Sequence, residues 1–221
     1  MVLLAPAAGG NFVLDFSLDT VTIPFPAPLT ARLPLGSLIY DQSTTGSIGP
    51  VGDSDSFTLA LDAGQTLTIV VAPASTLRTA VELRDPGGAL LSSATAPAAG
   101  TKALLQAISV AAAGLYTITL SGAASTIGRY SVAATLNAAL ETENHGGAPN
   151  DTLATAQDIS STALNIAGNS VRLGVLGMAS GGTKVLASEN FESGSLPSSF
   201  TTYSSNSAGR IAVAAPGGGG R

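Results

Sequence analysis

The chain has 221 residues, of which 45% are hydrophobic and 10% are charged, and its formal net charge is −5. The hydrophobic fraction is large enough for a folded core, and the length suits one or two domains. A net negative charge with two lysines, Lys102 and Lys184, argues against nucleic-acid binding, which needs clustered Lys and Arg. The lack of cysteine excludes disulfides, thiolate zinc sites and cysteine nucleophiles. No apolar run approaches the roughly 18 residues of a membrane span, so we expect no membrane insertion.

The first segment, residues 1–36, is interpreted as an N-terminal extension. Apolar side chains recur at every second position between residues 11 and 25, which predicts a β-strand. Prolines 24, 26, 28 and 34 then predict an extended stretch. This segment is either the last strand of a preceding domain or a loose tail. We expect the chain to be a fragment, with its export signal outside it.

Residues 37–140 contain short β-rich segments that turn residues separate. Turn signals such as Asp62–Gln65 and Asp85–Gly88 recur roughly every 8–12 residues, which is typical of a β-sandwich or barrel. We predict an all-β fold, an antiparallel sandwich of about seven to nine strands with extended, partly disordered flanks. The predicted core contains Phe57, Leu59, Leu67, Ile69, Val81, Leu83, Leu105, Ile118 and Val132.

Residues 141–182 are predicted to form a linker and the opening of a following unit. Glu141–Asp151 is polar and carries Gly and Pro. Thr152–Ile159 predicts about two helical turns, with Asp151 or Thr152 as the N-cap. Val171–Leu176 predicts one strand.

Several segments together resemble the bacterial pre-peptidase C-terminal domain family over roughly residues 37–176. They are Gly52–Leu59 (GDSDSFTL), Asp62–Thr68 (DAGQTLT), Val81–Gly88 (VELRDPGG), Ala113–Ile118 (AGLYTI), Glu141–Asn144 (ETEN) and Asn150–Ala156 (NDTLATA). The resemblance implies a jelly-roll-like sandwich that is not catalytic. It also implies a place in large multi-domain exoproteins of planctomycete-type bacteria, or beside secreted peptidases, collagenases and adhesin-like proteins.

The last segment, residues 183–221, resembles the truncated start of a lectin-like sandwich of the concanavalin or MAM type. The resemblance rests on Phe191–Pro197 (FESGSLP) within Asn190–Val213. A segment with so few strands cannot bury one face of a sheet, and we therefore expect it to be disordered or loosely docked.

Catalysis is not expected from the sequence. The single histidine, His145, lies between Asn144 and Gly146 in the linker, where its geometry is poorly held, and no G-x-S-x-G elbow occurs. Tyr116 and Tyr130 are interpreted as core or rim residues rather than as a platform for stacking sugars.

One possible metal site remains, for calcium. Asp53 and Asp55 are two apart, so they point to one side of an extended chain, and Ca²⁺ binds several hard oxygens. In the resembling family, a pair of this kind shares Ca²⁺ with linker acids, which here correspond to Glu141, Glu143, Asn150 and Asp151. The two sets belong to successive units, so we expect weak or no stoichiometric calcium binding. In the alternative interpretation, Asp53 and Asp55 cap a turn.

The sequence therefore leaves three functions open for an extracellular or cell-surface protein. The first is a structural spacer between neighbouring domains of the same polypeptide. The second is a binding module for extracellular polysaccharide or protein. The third is an accessory domain of a secreted peptidase, which aids secretion or substrate binding while the catalytic domain lies outside this chain.

Overall fold

Strand-forming segments with period-two patterning make up most of the fold. The computed structural model describes residues 22–34, 36–150, 152, 154–166 and 170–177. The strands are β1 (Thr22–Pro24), β2 (Thr30–Ala31), β3 (Tyr40–Ile48), β4 (Ser54–Leu61), β5 (Thr66–Pro73), β6 (Thr79–Arg84), β7 (Leu90–Thr95), β8 (Ala103–Ser109), β9 (Gly114–Gly122), β10 (Gly128–Leu136), β11 (Ala139–Leu140), β12 (Leu164–Ile166), β13 (Ser170–Arg172) and β14 (Val175–Leu176). In the described part of the chain, no helix is long and apolar enough to cross a membrane.

The eight strands β3–β10 pair in a nested order. β3 pairs with β10, β4 with β9, β5 with β8 and β6 with β7, and every one of these pairs is antiparallel. They divide into a first sheet of order β1-β4-β9-β6-β7 and a second sheet of order β2-β3-β10-β5-β8. Nested pairing spread over two sheets is the jelly-roll arrangement. The predicted fold class is therefore confirmed.

The core lies between the two sheets. All nine residues predicted for it are buried, since each occupies an inward position of an alternating strand. Leu77, Tyr116 and Leu120 join them in the same cluster. Tyr116 is buried, and its hydroxyl donates a hydrogen bond to the carbonyl of Ala112 at 2.8 Å. That position confirms its interpretation as a core residue.

The sandwich also includes residues before position 37. β1 pairs in parallel with β4, so that Ile23 lies opposite Phe57. Phe25 follows β1, is 2% exposed, and packs edge-on against Phe57 with 5.9 Å between ring centroids. β2 pairs with the start of β3. Part of the predicted extension therefore contributes to both sheets, whereas residues 1–21 lie outside the described residues.

The predicted helix over Thr152–Ile159 is wrong for the described residues of that range. Thr152 and Thr155 form a turn in which their hydroxyl oxygens lie 2.8 Å apart, and Asp158 accepts a hydrogen bond from the Ser160 amide at 2.8 Å. Such side-chain bonds to nearby groups compete with a helix. The Gln157 side chain instead accepts a hydrogen bond from the Thr142 amide at 3.0 Å.

The single strand predicted over Val171–Leu176 is divided into β13 and β14, with Leu173 and Gly174 between them. Gly174 passes close to the end of β10, because a Cβ there would lie 2.6 Å from the carbonyl oxygen of Asn137. This close approach requires glycine and interrupts the strand. The predicted lectin-like segment, residues 183–221, lies outside the described residues.

Candidate functional site

Asp53 closes the turn between β3 and β4. Its carboxylate accepts a hydrogen bond from the Gly49 amide at 2.6 Å, and its own amide donates to the carbonyl of Pro50 at 3.1 Å. A short acidic side chain often stabilises a turn in this way. The contact is the one that the turn-cap interpretation predicts for Asp53.

Asp55 connects the two sheets. It lies on β4 of the first sheet, and its carboxylate accepts a hydrogen bond of 2.6 Å from the hydroxyl of Tyr130 on β10 of the second sheet. The tyrosine ring fits because its ladder partner is Gly46, where a Cβ would lie 2.3 Å from the hydroxyl. Burial raises the pKa of Tyr130, and the hydrogen bond to Asp55 and the charge of Asp53 raise it further. The hydroxyl therefore stays protonated and available as a donor.

The linker acids form a separate cluster. The Asn150 side-chain amide donates to Glu141 at 2.7 Å, and the Asn150 backbone amide donates to the carboxylate of Glu143. Asp151 lies outside the described residues. Among the residues that the structure describes, no three His, Cys, Asp or Glu side chains are grouped so that they could hold a metal ion.

The linker begins as a strap across the outer face of the second sheet. We define the strap as residues 138–147. The hydroxyl of Thr68 on β5 donates to the carbonyl of Ala138 at 2.7 Å, and the side chain of Gln106 on β8 donates to the carbonyl of Leu140 at 2.6 Å. Thr68 points away from the core, yet it is 0% exposed because the strap covers it.

Two further contacts hold the strap from other sides. Its amides at Ala139 and Glu141 donate to the carbonyls of Gly174 and Leu176 at 2.9 and 2.8 Å, which forms the short β11–β14 pair. At the far end, the Lys102 ammonium donates to the carbonyl of Asn144 at 3.0 Å. The strap is thus fixed along its whole length.

His145 lies at the far end of the strap, beside Lys102. The two side-chain nitrogens, Nδ1 of His145 and Nζ of Lys102, are 3.5 Å apart. Burial lowers the pKa of His145, and the positive charge of Lys102 lowers it further. The lowered pKa favours the neutral form of the His145 ring.

The strap and the sheet enclose a groove that crosses the strands. One cavity of about 360 Å³ is bounded by Arg32 and Asp41 at one side and by Lys102, Asn144 and His145 at the other. Lys102, Asn144 and His145 also line a second cavity, of about 550 Å³, beyond the strap. Arg32 and Asp41 also line a third cavity, of about 390 Å³, near β2. These three cavities adjoin one another through shared lining residues, and we refer to them together as the groove; each is of a size that binds small ligands.

Charged side chains stand at both ends of the groove. Arg32 and Asp41 form an ion pair, in which Nε of Arg32 donates to Asp41 at 2.8 Å. This hydrogen bond and the carboxylate charge raise the pKa of Arg32. Arg32 and Lys102 could not be recognised from the sequence as neighbours in one groove. Seventy residues separate them along the chain, and only the strand order brings them to the same face.

No protein-family model matches the chain, and no curated protein matches it. Among solved structures, the chain is similar to a periplasmic inhibitor of g-type lysozyme, PliG, from Aeromonas hydrophila, with 21% identity and a TM-score of 0.35. That match covers 52% of this chain and 95% of the inhibitor.

The chain is also similar to the pre-peptidase C-terminal domain of a collagenase from Bacillus anthracis, with 14% identity and a TM-score of 0.35. This match covers 42% of this chain and 88% of that domain. PliG from Salmonella Typhimurium is similar at 16% identity and a TM-score of 0.31, covering 43% of this chain and 90% of that inhibitor. The function of the chain is therefore inferred from its own residues.

Proposed function

We propose that this chain is a non-catalytic β-sandwich module of a larger extracellular or cell-surface protein, in which it acts as a structural spacer. In this role it holds the polypeptide that follows it in a fixed direction relative to the sheets. The observation that carries the proposal is the strap, because a linker between independent domains does not need to be bonded to the domain it leaves.

The cost of fixing the strap supports this role. Ordering a backbone costs about 1–2 kcal/mol per residue, so ten ordered residues must be offset by specific contacts. The contacts come from Thr68, Gln106 and Lys102 on the sandwich side and from β14 on the other. A spacer that sets the position of the next domain requires such contacts, whereas a flexible tether does not. Its partners are then the neighbouring domains of the same polypeptide.

The surroundings of His145 support a non-catalytic role. Among the described residues, the charged group in contact with its ring is the Lys102 ammonium, which does not assist a histidine base as a carboxylate does. The extracellular placement rests on the sequence resemblance to the pre-peptidase C-terminal domain family.

A distance measurement tests the spacer role directly. The chain has no cysteine, so Ser93→Cys on β7 and Ala148→Cys just beyond the strap introduce two unique sites for spin labels. Both positions are exposed. We expect pulsed electron paramagnetic resonance to give one narrow distance distribution, because the strap is fixed on the sandwich.

The double variant Lys102→Gln with Gln106→Ala should broaden this distribution, since it removes two side chains that hold the strap. Arg84→Gln, which removes one positive charge from the outer face of the first sheet, is the matched control and should leave it narrow. A broad distribution in the labelled chain without these changes would contradict the spacer proposal.

A further inference from the structure

We infer that Lys102 is a covalent attachment site for small aldehydes, which it binds as an imine while the ring of His145 moves the protons that this reaction requires. The inference concerns the chemistry of one side chain, so it goes beyond the spacer role and does not depend on it. Two observations carry it: the contact between the two side chains, and a cavity that both of them line.

The contact brings the single histidine of the chain against one of its two lysines. Nζ of Lys102 lies 3.5 Å from Nδ1 of His145. A lysine ammonium can only donate hydrogen bonds, so Nδ1 is the acceptor, and the ring is the neutral tautomer that carries its proton on Nε2. An unprotonated ring nitrogen therefore faces the amine.

The surroundings of the two side chains favour this arrangement. Burial lowers the pKa of His145, and the charge of Lys102 lowers it further, so the ring stays neutral at physiological pH. The ion pairs found among the described residues do not involve Lys102. Its ammonium donates instead to the carbonyl oxygen of Asn144 at 3.0 Å, which is not a full negative charge that would hold the amine in its protonated form.

The cavity beyond the strap gives a small molecule access to Nζ. Lys102 is exposed, and it lines this cavity of about 550 Å³ together with His145. The volume lies within the range of sites that bind small ligands. Pro97 and Leu104 provide apolar contacts for a short carbon chain, beside the amine and the ring.

Imine formation moves two protons from nitrogen to oxygen, and one imidazole can move both. Once the Lys102 ammonium has released a proton to solvent, its amine adds to the aldehyde carbon, and Nδ1 of His145 transfers one N–H proton to the oxygen. This step gives a carbinolamine. The nitrogen electron pair then forms the C=N bond as the oxygen leaves, and the second N–H proton reaches that oxygen through Nδ1. The products are an imine and one water.

A weakly basic ring is sufficient for this transfer. The nitrogen of the first adduct is cationic and lies one carbon from an oxygen, so its protons are more acidic than those of a free ammonium. The same low pKa that makes His145 a weak base makes its conjugate acid a better proton donor to the leaving oxygen.

The proton transfer distinguishes aldehydes from acylating agents. An acylating agent brings its own leaving group, and enzymes that transfer acyl groups stabilise an oxyanion with fixed hydrogen-bond donors. The oxygen of an aldehyde must instead leave as water, which requires that protons be delivered to it. Lys102 should therefore stand out in its reaction with aldehydes and not in its general reactivity.

Labelling of the full chain with glycolaldehyde tests the inference. Cyanoborohydride traps each imine as a stable secondary amine, and peptide mass spectrometry compares the labelling rates of Lys102 and Lys184. Each rate is divided by the rate of acetylation with N-hydroxysuccinimidyl acetate, which corrects for exposure of the amine. We expect the corrected rate of Lys102 to be about tenfold higher. Positioned proton transfer contributes roughly 10²–10⁴-fold in enzymes, and this site is open to solvent.

His145→Gln separates proton transfer from positioning, because glutamine offers Nζ a hydrogen-bond acceptor but cannot take up a proton. We expect this variant to lower the aldehyde rate of Lys102 about tenfold and to leave its acetylation rate and both rates of Lys184 unchanged. Arg84→Gln on the first sheet is the control and should change none of the four rates. Unchanged melting temperatures would show that both variants fold.

Three outcomes would overturn the inference. The first is an equal corrected rate at Lys102 and Lys184. The second is an aldehyde rate of Lys102 that His145→Gln leaves unchanged, since the ring would then move no proton. The third is an equal fall of the aldehyde and acetylation rates in His145→Gln, which would mean that the ring affects only the exposure of the amine.

Discussion

The outer faces of the two sheets differ in what covers them. On the second sheet, Thr68 points away from the core and is fully buried beneath Ala138 of the strap. On the first sheet, Thr117 occupies an outward position of β9 and remains partly exposed. The same residue type in the same kind of position therefore has different roles. Contacts with the strap, rather than with the core, determine which outer-face residues contribute to stability.

The largest expected effect follows from this pair of threonines. Thr68 donates to the carbonyl of Ala138 and accepts from the amide of Ala107 at 2.9 Å, so Thr68→Val leaves two buried backbone groups without a partner. We expect a loss of about 3 kcal/mol in the free energy of unfolding, measured by urea denaturation, since each such group costs about 1–3 kcal/mol.

Thr117→Val is the matched control on the first sheet, and it should change the free energy of unfolding by less than about 0.5 kcal/mol. Similar losses of unfolding free energy in Thr68→Val and Thr117→Val would show that the strap does not make the outer faces of the two sheets differ in stability.

The second prediction concerns the contact that joins the sheets. Tyr130→Phe removes the hydroxyl that donates to Asp55 and leaves the partly buried carboxylate without that donor. We expect a loss of about 1–2 kcal/mol in the free energy of unfolding at neutral pH. Gly46→Ala should be more harmful, because its Cβ would overlap the same hydroxyl.

The pH dependence of the Tyr130 contact has a definite sign. The pKa of Tyr130 is raised in the folded protein from its ordinary value of 10.0. The folded state therefore keeps a proton that the unfolded chain releases, so this contribution is fully present below pH 10 and is lost as pH rises above it. We expect the melting temperature of the unmodified chain to fall more steeply above pH 10 than that of Tyr130→Phe. Melting temperatures that fall equally with pH in the two proteins would contradict this prediction.

The fold could be predicted from the sequence because its signals are local. Inward residues such as Leu67, Ile69 and Val132 follow a period of two, and the turn residues mark where strands end. The helix over Thr152–Ile159 failed because Gln157 bonds to the strap, a contact that composition cannot reveal.

The candidate site could be predicted less well from the sequence, because it depends on contacts between segments that are distant along the chain. Arg32 and Lys102 lie far apart in the sequence, and only the strand order brings them to the same face of the second sheet, where both line the groove. The acids suggested by the family resemblance could be named, but the hydrogen bond that Asp55 accepts from Tyr130, 75 residues away on another sheet, could not.

A smaller effect is expected at the far end of the strap. Lys102→Gln weakens the contact to the carbonyl of Asn144, which lies at an exposed position, so global stability should fall by about 0.5 kcal/mol. Local opening should respond more: the Glu141 amide, which is bonded to Leu176, should exchange several-fold faster with deuterium. Arg84→Gln should leave the exchange rate of the Glu141 amide unchanged. An equal increase of that rate in Arg84→Gln would indicate a general effect of charge.

The smallest expected effect is that of calcium. Asp53 and Asp55 belong to the first sheet, and the carboxylate of Asp55 meets Tyr130 on the core side of β10. Glu141 and Glu143 belong to the strap, on the outer side of the second sheet, so that sheet separates the two sets. A Ca²⁺ ion binds oxygens at about 2.3–2.6 Å, whereas packed sheets lie about 10 Å apart, so one ion cannot reach both sets.

Among the described residues, each set offers fewer side-chain oxygens than the about six to eight that a specific site needs, and both sets already accept hydrogen bonds. We therefore expect the melting temperature in millimolar Ca²⁺ to match that in chelator within about 1 °C, because only binding to the folded state raises it. A rise of several degrees that Asp53→Ala with Asp55→Ala abolishes would place a site on the first sheet. A rise that Glu141→Ala with Glu143→Ala abolishes would place it on the strap, where the ion would hold the linker in the same position that the spacer role requires.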